Sequence, residues 1–116
     1  DRIKVADYYL KNLKGVKGIV LPRREKWAKQ VYHLFVIRVK KRDELQAYLK
    51  DNGVSSGVHY PLALPKLKAY NYTEQASEDF FANNSDSELL SLPIGDHLSK
   101  NDLLKIVSLL ISFNAN

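Results

Sequence analysis

VYHLFVIRVKKRDELQAYLKDNGVSSGV, residues 31–58, changes its period twice, and those changes decide the fold class. Residues 31–39, VYHLFVIRV, are β-branched and aromatic with charge only near the end, which predicts a strand. Alternation places Val31, His33, Phe35, Ile37 and Val39 on one face and Tyr32, Leu34, Val36 and Arg38 on the other. Both faces are apolar at the centre, so the strand should be internal to a sheet. Residues 42–52 follow with helical spacing: Leu45, Tyr48 and Leu49 form a buried stripe, and Gly53 supplies the stop. Residues 54–58 read as a second, short strand in which Gly57 permits close approach of backbone or partner.

The same signals extend outward. Ile3, Ala6, Leu10 and Leu13 predict an amphipathic helix over residues 2–13, ended by Gly15 and Gly18. Residues 19–21 are extended up to Pro22. A polar loop then holds the only tryptophan, Trp27, which is either a contact to another domain or a plug of its own loop. Residues 77–90 can form a helix anchored by Phe80, Phe81, Leu89 and Leu90, although the run Ala82-Asn83-Asn84-Ser85-Asp86 weakens that pattern. SLPI, residues 91–94, is a short extended piece. Ser99 and Asp102 have capping-box spacing, the acid replacing the usual Glu. The last helix then carries Leu103, Leu104, Ile106, Val107, Leu109, Leu110 and Ile111, a surface wide enough to be packed on more than one side. The order of elements gives an α+β class: a small, mainly antiparallel sheet with helices mostly on one face. Residues 1–116 are read as a single domain.

Composition narrows the function classes. With 116 residues, 45% of them hydrophobic, the chain can build one modest core. It has no cysteine, which excludes disulfides and thiolate chemistry and fits a reducing compartment. No apolar run has membrane-spanning length, and no leader pattern stands at the start. It has no methionine either, so it is expected to be a piece of something longer. The net charge of +5 permits nucleic-acid binding, but the basic residues are dispersed among acids and no recognition motif accompanies them. The sequons at Asn71 and Asn83 are short enough to arise by chance.

Motifs for chemistry are sparse. His33, His59 and His97 have no ligand spacing between them, so no metal site is expected. There is no nucleophile elbow, P-loop or dinucleotide fingerprint. Asp96-His97 reads as turn chemistry before a helix cap. One stretch stands out: HYPLALPKLKAY, residues 59–70, follows the strand at 54–58 with prolines and tyrosines. Pro61 disfavours helical backbone at Tyr60, so His59 and Tyr60 are displayed on an extended backbone at a strand end. From the residues alone, His59 is either a binding residue on a strand-end loop or a histidine bonded into its own domain surface.

Four segments in order, YHLFVIRV, KRDELQAYLKDNGV, SSGVHYPLALPKLKAY and ELLSLPIGDHLS, resemble the C-terminal domain of the DegT/DnrJ/StrS sugar aminotransferases. These are pyridoxal-phosphate enzymes with the aspartate-aminotransferase type of fold. The resemblance covers nearly the whole chain. It implies a two-domain cytoplasmic enzyme whose N-terminal domain, absent here, holds pyridoxal 5'-phosphate and its aldimine lysine. It implies amino transfer from glutamate to a keto sugar nucleotide, in a homodimer, with no nucleic acid or membrane as partner. No lysine of this chain matches the family's lysine motif, so no catalytic or cofactor-binding residue is assigned and the chain alone should be inactive. His59 and Tyr60 are implied to line the substrate cleft. Where many members carry a histidine after the turn, this chain has Pro65. Tyr32 and His33 match the family but fit a pair packed in the sheet. The rival expectation is a free-standing α+β regulatory or nucleic-acid-binding module.

Overall fold

The computed structural model describes residues 1–115. Two strands pair antiparallel, β1 (Phe35–Arg38) and β2 (Leu89–Leu92), with Phe35 opposite Leu92 and Arg38 opposite Leu89. Single bridges widen this sheet on both edges: Val20 pairs with Arg38, and Gly57 with Ser91. β1 is therefore internal, as its two apolar faces predict. The predicted strands at 19–21 and 54–58 are reduced to those one-residue bridges.

The predicted strand over 31–39 is also shorter, because Tyr32 adopts φ 55° and breaks the alternation. The turn swings its ring inward, 2% exposed, to lie 5.8 Å from the Phe35 ring. His33, next to it, is exposed. The two are thus not a pair packed in the sheet. Arg24 completes the corner, its Nε donating to the Tyr32 hydroxyl at 2.8 Å.

Three long helices complete the core: α1 (Arg2–Asn12), α2 (Arg42–Asp51) and α4 (Lys100–Ala115). Each begins or ends on the expected chemistry. Asp1 accepts from the Ile3 N–H, and Gly53 after α2 takes φ 77°. Before α4, the Ser99 N–H donates to Asp102 at 2.8 Å and the Asp102 N–H to Ser99 Oγ at 3.1 Å, a reciprocal box.

Phe35, Ile37, Leu90 and Leu92 share the inner face of the sheet and join Tyr9, Leu45, Leu49, Ile106 and Leu110 in one core cluster. Burying such side chains stabilises by about 1.5–3 kcal/mol each. A cross-strand pair contributes about 0.2–1 kcal/mol, so the core rather than the short ladder holds the sheet. Tyr9 is buried whole; burial pushes its phenol up, and its hydroxyl donates to the Pro93 carbonyl at 2.7 Å. The wide apolar surface of α4 meets α1 and α2, but a further strip, Leu104 and Ile111, is left 48% and 44% exposed.

The segment 77–90 is not one helix. It holds only a short α3 (Phe81–Ser85) and one 3₁₀ turn (Asp86–Glu88) before β2. Its Asn, Ser and Asp side chains compete with the helical ladder, as such residues do. Asn83 Nδ2 donates to the carbonyls of Gln75 at 3.1 Å and Glu78 at 2.9 Å. Asp86, 6% exposed, accepts from the Ala63 N–H and from Lys66 Nζ. These bonds staple both ends of the loop that follows Pro61, itself folded into 3₁₀ helices at Leu64–Lys66 and Lys68–Thr73.

Candidate functional site

Ser91 alternates with Leu90 and Leu92, so it belongs to the outer face of the sheet, away from the helices. The candidate site is built on that face. Gly57 and Ser91 exchange both backbone hydrogen bonds, Gly57 N–H to Ser91 at 3.0 Å and Ser91 N–H to Gly57 at 2.7 Å. Two residues on, His59 folds back across this bridge, and its Nδ1 lies 2.9 Å from Ser91 Oγ. Gly57 is what leaves room: a Cβ there would stand 2.7 Å from His59 Cε1. Ser91 is 4% exposed, while His59 is half-buried and its Nε2 has no partner among the described residues.

An open concavity of about 340 Å³ lies alongside, lined by Arg2, His33, Ser55, Ser56, His59 and Ser91 among others. Arg2 enters from α1, its Nη1 donating to the His33 carbonyl at 2.6 Å and to the Tyr32 carbonyl at 3.3 Å. The positive φ of Tyr32 thus buries one side chain and hands the next, His33, to the concavity. Imidazole, guanidinium and hydroxyl groups suit a hydroxylated or anionic ligand, and no carboxylate lines the space.

Tyr60 goes elsewhere. Its ring stands edge-on to that of His59, 5.5 Å between centroids, and lines a separate apolar hollow of about 550 Å³ with Pro61, Leu64, Leu67, Ala82 and Leu89. Tyr60 is 71% exposed there. The two expected cleft residues therefore stand at the border of two hollows, one polar and one apolar. Trp27 is 86% exposed and so plugs no space among the described residues. Among the described residues no group of three or more His, Asp or Glu is placed to hold a metal ion, and no helix is long and apolar enough to cross a membrane.

Pyridoxal phosphate needs a lysine free to form an aldimine in a sheltered site. Every lysine except Lys66 is exposed, and Lys66 Nζ is spent on Asp86 and the Asn83 carbonyl. The residues present do not fit the cofactor.

Sequence reasoning missed Ser91, Ser55, Ser56 and Arg2. Ser91 did leave a signal: a lone hydroxyl between Leu90 and Leu92 marks the face that turns from the core.

The model of the DegT/DnrJ/EryC1/StrS aminotransferase family matches residues 1–111. The chain belongs to this family. A relative from Saccharopolyspora erythraea, named erythromycin biosynthesis sensory transduction protein EryC1, is 42% identical over 85% of this chain and 27% of its own length. The dTDP-3-amino-3,6-dideoxy-alpha-D-galactopyranose transaminase of Aneurinibacillus thermoaerophilus is 36% identical over 91% of this chain and 29% of its own length. The crystal structure of DesV from S. venezuelae, in complex with a ketimine intermediate, matches with a TM-score of 0.91 at 31% identity. It is covered over 99% of this chain and 31% of that one. The chain thus spans under a third of the DegT/DnrJ/EryC1/StrS relatives it matches.

Proposed function

We propose that this chain is the C-terminal small domain of a pyridoxal-phosphate-dependent nucleotide-sugar aminotransferase. The observation that carries this reading is the family match over residues 1–111, together with a span of only 29% of a relative named as a dTDP-amino-sugar transaminase. The whole protein would move an amino group from glutamate onto a keto sugar nucleotide, as a cytoplasmic homodimer. The cofactor and its lysine would sit on a preceding large domain, which agrees with the absence of a fitting lysine here. His59 and Tyr60 would line the cleft between the domains, His59 with its polar concavity toward sugar hydroxyls or an anionic group. Tyr60 and the apolar hollow would lie against the large domain or the sugar ring.

The test uses the full-length reading frame and the reverse reaction. The enzyme is given a dTDP-3-amino-dideoxyhexose and 2-oxoglutarate. The amino group leaves the sugar carbon for the keto acid, so glutamate and a dTDP-keto sugar should form in equal amounts. A full-length protein that binds no pyridoxal phosphate and forms no glutamate with amino sugar nucleotides would favour the free-standing module instead.

A further inference from the structure

The polar side of the site has a supporting part that the cleft reading does not use. We infer that Ser91 is a positioning residue for His59: it holds the imidazole by Nδ1 and makes Nε2 the atom presented to a substrate. This rests on the reading of His59 as a cleft residue. Three independent features build the arrangement. Ser91 Oγ is 2.9 Å from Nδ1 on a side chain that is 4% exposed, so its hydroxyl has little water to turn to. The paired backbone bonds of Gly57 and Ser91 fix the two chains from which both side chains spring. Gly57 leaves the space in which the ring packs against that bridge, since a Cβ there would stand 2.7 Å from its Cε1.

The choice of a hydroxyl has a consequence. A carboxylate only accepts, so it would hold Nδ1–H and leave Nε2 an acceptor. A serine hydroxyl rotates, donating to a bare Nδ1 or accepting from Nδ1–H. Nε2 can then serve as donor or as acceptor with no lost bond behind it. A keto sugar whose carbonyl becomes an amine, among hydroxyls that do both, asks for that versatility.

The experiment exploits the fact that the chain has three histidines. Histidine-labelled chain gives three pairs of ring-nitrogen signals, and its amide spectrum reports folding. Ser91→Ala should move the Nδ1 and Nε2 signals of His59 and leave those of His33 and His97 in place; Ser91→Thr should restore them. Gly57→Ala, acting from the other side, should move the same signals. In the full-length enzyme, Ser91→Ala should lower kcat/KM about as much as His59→Ala. The double variant should fall no further, the signature of residues acting as one unit. Ring signals unchanged in folded Ser91→Ala and Gly57→Ala overturn the inference whatever the activity. Ring signals that move while turnover stays unchanged uphold the positioning and remove His59 from the cleft instead.

Discussion

Lys66 Nζ lies 2.9 Å from Asp86 Oδ2, and the same carboxylate accepts the Ala63 N–H. This pair fastens the loop after Pro61 to the segment that leads into β2, beside the apolar hollow. Burial pushes the Asp86 carboxyl up. The hydrogen bonds from Lys66 and the Ala63 N–H, with the Lys66 charge, outweigh burial and hold it below the ordinary carboxylate range.

Asp86→Ala leaves the Ala63 N–H and Lys66 without their acceptor. The expected cost is about 1–3 kcal/mol, the range for an unsatisfied buried partner; Lys66 is 30% exposed and can turn to water, which argues for the lower half. The pH dependence follows from the sign of the shift. A carboxyl whose folded pKa is depressed contributes stability above its unfolded value and loses it as pH falls through the folded one. The wild-type advantage over Asp86→Asn should therefore be full at neutral pH and shrink below about pH 4. Urea unfolding at several pH values checks this; an advantage that grows on acidification would show that the pair does not act as described.

Much of this architecture was legible because local and tertiary preferences agreed. Leu45 and Leu49, the Ser99–Asp102 box, Gly53 and the buried set of α4 all follow period and capping rules. At two of the places where the architecture was not legible, a turned backbone or a polar side chain overruled the pattern. Tyr32 looked like a strand residue, yet φ 55° places its ring beside Phe35 and leaves His33 to the surface. Asn83 and Asp86 looked like weak helix residues, and their bonds reach back to Gln75, 8 residues away, and Ala63, 23 residues away. The His59 site was half legible, since Gly57 and His59 stand together in sequence while Ser91 arrives from a strand 32 residues on.

The chain alone should form no specific adduct with pyridoxal phosphate. Its exposed lysines are hydrated ammonium groups without a shaped site, and Lys66 is held by Asp86. Borohydride reduction followed by peptide mapping should find label scattered at low occupancy. One lysine labelled stoichiometrically, with turnover, would mean that a cofactor site exists within these residues.

Tyr60, Leu62 and Leu64 are 71%, 49% and 65% exposed around the apolar hollow. A patch of this kind binds environment-sensitive dyes when nothing covers it. The chain should bind such a dye more strongly than the full-length protein does, and Leu64→Ser should weaken the signal without changing the unfolding midpoint. Equal dye binding by chain and full-length protein would mean that no other part of the molecule covers this patch.

His59→Ala separates a cleft role from a structural one. If the ring only braces the Gly57–Ser91 bridge, its loss lowers the unfolding midpoint and the folded fraction keeps normal kinetics. If it faces substrate, the midpoint falls only by what the lost Ser91 bond costs, and the folded full-length enzyme loses about 1–3 kcal/mol of binding or turnover, the range for one missing polar partner. The second pattern is expected, because His59 is only half-buried and its Nε2 meets no partner among the described residues. His59→Asn should recover part of the loss if the ring acts through a hydrogen bond, and little if it acts through a proton or its face. Unfolding midpoint and steady-state kinetics measured on the same preparations distinguish these cases. A clear fall in midpoint with unchanged kinetics would assign His59 to the bracing of the sheet edge.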